Sequence, residues 1–174
     1  MPNTNETITT LHDLLDYDAR HFLSAEVQLK NVLPDWIRAA GSLKLKSVLS
    51  KYKDHIDQHI IKMNKFFEEE KISSATVTNR IMKAFIEETE EKVKRSTDVQ
   101  VQDAGMLECV QQINHFKISV YGTATAYSKA LGMEKYATIF HESAVNEKQI
   151  DDRLSQLAES EINVIAKSPV LIEP

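Results

Sequence analysis

Residues 113–147 read INHFKISVYGTATAYSKALGMEKYATIFHESAVNE, and the second glycine of that stretch, Gly132, decides the fold. Before it, Ile113, Val120, Ala124 and Tyr127 recur at steps of three, four or seven residues. After it, Met133, Tyr136, Phe140 and Ala144 do the same. That is the period of one apolar face of an α-helix. Glycine ends helices readily, because it tolerates the backbone reversal that follows. The stretch therefore predicts two long helices lying antiparallel across a tight turn.

Working outward, the same arrangement surrounds Gly41, and little else interrupts the chain. Its 174 residues hold four glycines and four prolines, where average usage would give about twenty. Pro2, Pro169 and Pro174 lie near the ends, which leaves Pro34, Gly41, Gly105, Gly122 and Gly132 as the only breakers between residues 3 and 168. A β-sandwich or barrel wants a turn roughly every 8–12 residues, and a dinucleotide or P-loop site wants clustered glycines. Both are excluded.

The first helix is predicted from about Thr7 to Ala40, with a seam of Ile8, Leu11, Leu15, Phe22, Leu29, Leu33, Trp36 and Ala40 and a kink expected at Pro34. Ser42 is a plausible N-cap for a second, reaching about Glu70 on the seam Leu45, Leu49, Tyr52, Ile56, Met63 and Phe66. The stretch SSATVTN at 73–79 breaks the pattern, and a short amphipathic helix follows at about 80–95, with Ile81, Phe85 and Val93. The remaining long helices cover about 99–131 and 133–165. A helix of about 30 residues is near 45 Å long, too long for globin-like packing. The predicted fold is all-α: a four-helix bundle of ferritin-like connectivity, made of two antiparallel helix hairpins joined by a long crossover containing a short extra helix.

One domain over residues 1–166, followed by a tail at 167–174, suits this length and a composition of 42% hydrophobic and 27% charged residues. A formal charge of −5 offers no basic face for nucleic acid. No apolar run approaches the roughly 18 residues of a membrane span, and the opening MPNTNETITT has neither the basic nor the apolar region of a signal peptide. A lone Cys109 among apolar neighbours reads as a buried thiol in a reducing cytoplasm.

Each seam also carries polar groups that do not belong in an apolar stripe. Glu26 falls between Phe22 and Leu29, His55 and His59 between Tyr52 and Met63, Asn114 and Lys117 along Val110–Tyr121, and Glu147 and Asp151 between Ala144 and Leu154. Lys117 stands fifteen residues before Gly132 and Glu147 fifteen after it; Glu26 stands fifteen before Gly41, opposite Ile56 and its neighbours His55 and Asp57. All four helices thus contribute to one layer at mid-bundle. Ionised groups buried there must pair with one another, bind a cation or shift their pKa. Di-metal carboxylate bundles want a glutamate from each of two helices and a Glu-x-x-His from each of the other two. No Glu-x-x-His occurs in this chain.

Four segments, AEVQLKNVLP (25–34), DHIDQH (54–59), INHFKISVYGTATAYSKALG (113–132) and HESAVNEKQIDDRLSQLA (141–158), together resemble the ferritin-like bacterial stress proteins typified by YciF and YciE. The resemblance implies a ferritin-like bundle, often dimeric, with a di-metal centre of no established reaction. It matches Glu26, Glu147 and Asp151 to the family's acids. It also sets Gln58 where the family resembles a glutamate, and Asn114 and Lys117 where its third helix resembles E-H-Y-E. The expectation is a degenerate, metal-free centre without catalysis in a stress-associated or structural homodimer. Candidate metal ligands are Glu26, His55, His59, Glu147 and Asp151, with iron, manganese or zinc as the alternative cofactor. That alternative is an oxidase or ferroxidase using Glu26, Glu147 and Asp151. A second alternative is a dimeric helical module for an unidentified protein partner. His12, His21, His115 and His141 read as surface or packing histidines, Glu87, Glu88, Glu90 and Glu91 as a solvated face, and Trp36 as core or dimer interface.

Overall fold

A computed structural model describes residues 7–73 and 77–167. The proposed tail at 167–174 lies, beyond Lys167, outside the described residues. The elements run α1 (Leu11–Ala39), α2 (Leu43–Glu70), α3 (Arg80–Arg95), α4 (Val99–Ala130) and α5 (Glu134–Leu157). A π-helical turn at Ala158–Ile162 and the short α6 (Asn163–Ala166) complete the described chain.

The starts of α1 to α4 are set by side chains that accept the orphan backbone N–H groups. Thr10 Oγ accepts from the Asp13 N–H at 3.0 Å, while the Asp13 carboxylate accepts from the Thr10 N–H at 2.9 Å. This reciprocal cap places the start of α1 at Leu11 rather than Thr7, and leaves Ile8 outside the seam and 44% exposed. Hydrogen bonds from Thr9 and Thr10 hold the Asp13 carboxyl down at about 2. Ser42 caps α2 as expected, accepting from the Leu45 N–H. Asn79 caps α3 with its carbonyl oxygen on the Met82 N–H, and its amide donates to the His21 carbonyl, which ties α3 to α1. The buried edge of α3 is Met82 and Thr89, with Phe85, Ile86 and Val93 half-buried, while Ile81 points outward. Helix α1 passes through Pro34 as one element.

Helices α1 and α2 form one hairpin about Gly41, and α4 and α5 the other about Gly132. Gly132 has φ of +70°, a left-handed conformation that costs any L side chain strain. Gly41 is needed for space, since a Cβ there would lie 2.5 Å from a Val99 methyl. The start of α4 is fastened to that turn: the buried Asp103 carboxylate accepts from the Gly41 and Ser42 N–H groups at 2.8 and 2.7 Å, and Gln102 donates to the Ala39 carbonyl at 2.8 Å. The two turns therefore lie at opposite ends, and α3 carries the chain back along the bundle so that α2 and α4 run parallel. This is ferritin-like connectivity. Asp103→Ala would strand two N–H groups, and urea denaturation should show a loss of about 2 kcal/mol or more.

The end of α5 differs from the single helix to residue 165. Leu154, Ala158 and Ile162 are buried and spaced by four, and such a run drifts about 40° per step in a regular α-helix. The wider π-turn keeps them on one side. Trp36 is core, 3% exposed, and so is not available to an interface. No helix among the described residues is long and apolar enough to cross a membrane.

Candidate metal centre

The layer assembles from four helices, and Glu26, His59, Asn114, Lys117 and Glu147 all have zero exposure. Lys117 is its hub. Its Nζ lies 3.0 Å from Glu26 Oε2 and 2.6 Å from Glu147 Oε1, as ion-pair contacts rather than aligned hydrogen bonds. The Tyr52 ring closes another side, 4.6 Å from Nζ. His59 Nδ1 lies 3.4 Å from Glu26 Oε1 and 3.5 Å from Glu147 Oε1, and its Nε2 lies 3.4 Å from the Asn146 amide. Asn114 Nδ2 donates to Glu147 twice, to Oε2 at 2.7 Å and to the backbone carbonyl at 3.0 Å. The Tyr121 hydroxyl donates to Glu26 Oε1 at 2.6 Å.

Burial presses both carboxyls toward the neutral form, and their neighbours then separate them. At Glu26 the Lys117 ammonium, His59 and the Tyr121 hydroxyl outweigh burial, and the pKa is lowered. At Glu147 burial together with the Glu26 charge outweighs Lys117, and the pKa is raised. Burial and the two carboxylates push the Tyr52 and Tyr121 phenols well above their ordinary value.

Three of the candidate ligands, Glu26, His59 and Glu147, are brought together; His55 and Asp151 are not. The buried positions of α2 run Tyr52, Ile56, His59, Met63, so His55 sits half-buried at the edge, its ring 6.4 Å from that of His59. Burial, with the nearby Lys51, His59 and Lys117 charges, lowers the His55 imidazole from 6.5 to about 4. The folded chain then binds fewer protons there than the unfolded chain, and stability falls as pH drops from about 6.5 toward about 4. Denaturation curves across that window should flatten in His55→Gln; an unchanged slope would contradict the assignment. Asp151 faces outward and contacts His115 at 2.9 Å, because the stripe beyond Glu147 continues through Ile150 and Leu154. Gln58 is exposed. The sequence reading missed Tyr52 and Tyr121, which pass as ordinary seam residues; their hydroxyls at the height of Glu26 and Glu147 were the available signal.

One ligand atom from each of Glu26, His59 and Glu147 falls within 4.8 Å of the others, close enough to share a cation. The set nevertheless does not fit a di-metal pair. Helix α4 brings Asn114 and Lys117 instead of carboxylates, and the ammonium already stands between the two that remain. A cavity of about 1200 Å³ between α1, α4 and the start of α3 reaches Phe22, Phe116 and Tyr121. Glu26, His59, Lys117 and Glu147 do not line it, and Tyr121 is where it touches the layer. The exposed Glu87, Glu88 and Glu91 pair with Lys83, Lys92 and Arg95 along α3, and Cys109 is buried with its thiol pushed up by desolvation.

A family profile described as a domain of unknown function, DUF892, matches residues 10–167. The chain belongs to the DUF892 family. The chain is 26% identical to protein YciF of Escherichia coli K12 over 160 residues, which are 91% of this chain and 96% of that one. The crystal structure of the E. coli stress protein YciF superposes with a TM-score of 0.84 at 28% identity, covering 90% of this chain and 99% of that one. YcfI from Rhodopseudomonas palustris shares the fold with a TM-score of 0.83 at 24% identity, over 87% and 96% of the two chains. The resemblance read from the four segments is therefore to the right family, and the fold of this chain is the ferritin-like bundle.

Proposed function

We propose that this chain is a non-catalytic, stress-associated member of the DUF892 family whose former metal layer is held together by a lysine. The observation that carries the reading is the Lys117 ammonium 2.6 and 3.0 Å from the only two buried glutamates among the described residues. A fixed monovalent cation at that point neutralises charge that a metal pair would otherwise have to balance, and it leaves no open coordination position for oxygen or substrate. Ion layers of this kind add little stability over an apolar core, but they fix register, because a slid helix would separate the charges. The likeness to a protein called a stress protein supports the physiological half of the proposal.

Metal analysis of protein purified without chelators tests it. The expected result is substoichiometric iron, manganese and zinc, unchanged in Glu147→Ala. Stoichiometric metal that disappears in Glu147→Ala would overturn the reading in favour of the oxidase or ferroxidase alternative. Residence in the cytoplasm and assembly as a homodimer belong to the same proposal. A buried, unpaired Cys109 supports the first, and light scattering would test the second.

A further inference from the structure

We propose that the cavity between α1, α4 and the start of α3 binds a long-chain carboxylate, its tail on an aromatic floor and its head group against Arg80 and Arg20 at the rim. Protein interiors hold few voids larger than a water molecule, whereas ligand sites run to roughly 300–1,000 Å³. A space of about 1200 Å³ is the size of a large ligand site and not of a packing defect. Its floor is apolar and is shared by the four long helices: Phe22 of α1, Met63 of α2, Tyr121 of α4 and Phe140 of α5 are all buried there. Phe22 and Tyr121 meet edge to face with centroids 4.6 Å apart, which makes that floor rigid. The cavity follows α4 from Phe116 to Tyr127, about 16 Å of helix. Such elongation suits an extended alkyl chain better than a compact ring.

The rim supplies the choice of head group. Arg20, His21 and Arg80 line the cavity against one acid among the described residues, Asp18. Asp16 stands near Arg20 and balances part of its charge. Arg80 is exposed and has no acidic partner among the described residues, which makes it the principal anchor. A guanidinium presents a planar fork of donors that matches a carboxylate, so an anionic head is held and a cationic one repelled. The start of α3 is fixed beside α1 by hydrogen bonds and not by filling the space behind it. The Ser24 hydroxyl donates to the Val77 carbonyl at 2.7 Å, the Asn79 N–H donates to Ser24 Oγ at 3.2 Å, and the Asn79 amide donates to the His21 carbonyl at 3.0 Å. Arg80 follows directly in the chain and is thereby kept at the same opening as Arg20. Exposed Ser119 and Thr123 of α4 form the opposite lip and leave the opening to solvent. The ionic layer takes no part, because Tyr121 alone joins it to the cavity floor.

The test is calorimetric titration of the full chain with decanoate below its micelle concentration, with amide NMR spectra of the same mixture. The expected result is saturable one-to-one binding, with shifts concentrated at Phe22, Phe116, Val120 and Ala124. Each methylene added from octanoate to dodecanoate should tighten binding by about fourfold. Decyltrimethylammonium, with the same tail and the opposite charge, should bind more weakly. Arg80→Gln should weaken decanoate by about fivefold or more and narrow its advantage over that cation. Ala124→Trp places an indole in the cavity and should abolish binding at unchanged helicity; the wild-type shifts locate the ligand whether or not this variant folds. Uptake that never saturates, shifts centred away from the cavity, equal affinity for the cationic amphiphile or an unchanged affinity in Arg80→Gln would each overturn the proposal.

Discussion

Lys117→Met should destabilise the fold by about 3–5 kcal/mol at neutral pH, the usual cost of removing one member of a buried ionic group. Methionine nearly conserves the volume, so the loss is electrostatic and not a cavity effect. Two carboxylates with zero exposure would then face each other with only His59 between them. They cannot both stay ionised, and one should take up a proton, its folded pKa raised above the unfolded value. A raised carboxyl favours the folded state as pH falls, so the deficit should shrink in mildly acidic solution. Urea denaturation at several pH values measures both effects. A loss under about 1 kcal/mol with no pH dependence would mean that the lysine is not the counter-ion of this layer.

Lys117→Glu should convert the layer into a cation site. The substitution removes the tethered positive charge and adds a carboxylate on α4, next to Glu26, His59 and Glu147, whose ligand atoms already lie within 4.8 Å of one another. Three acids and an imidazole are a hard donor set for manganese, iron or zinc. Without metal this variant should be less stable than Lys117→Met, because its excess charge is larger. Added divalent cation should restore it, by about 2.7 kcal/mol at a concentration one hundred times the dissociation constant. Thermal unfolding with and without manganese is the measurement. Wild type should not respond. A variant that gains nothing from metal would show that the layer lacks the geometry of a centre as well as the charge.

The two glycine turns make much of this legible in the sequence. Counting from Gly132 set Lys117 opposite Glu147, and the two are in contact. The same count from Gly41 pointed at Ile56 and its neighbours, one turn short of His59. The two turns are built differently, with Gly132 left-handed and Gly41 not, so one count does not serve both hairpins, and Glu26 meets His59 although His59 stands further from the turn. Asp151 and Gln58 failed for another reason, since a periodic seam does not say which neighbouring residue falls just over its edge. The Tyr121 contact to Glu26 joins residues 95 apart and depends on how the hairpins dock, which no spacing within one helix encodes.

The division of the layer between hairpins has a consequence for the order of folding. The α4–α5 hairpin contains both Lys117 and Glu147 and can close with its charge already matched. The α1–α2 hairpin contains Glu26 and only His59 to oppose it, and it cannot bury that carboxylate cheaply until Lys117 arrives from the other. The second half of the chain should therefore be the nucleus on which the first half condenses. Substitutions at Ile113 or Phe140 should slow folding, whereas those at Leu29 or Leu49 should mainly hasten unfolding.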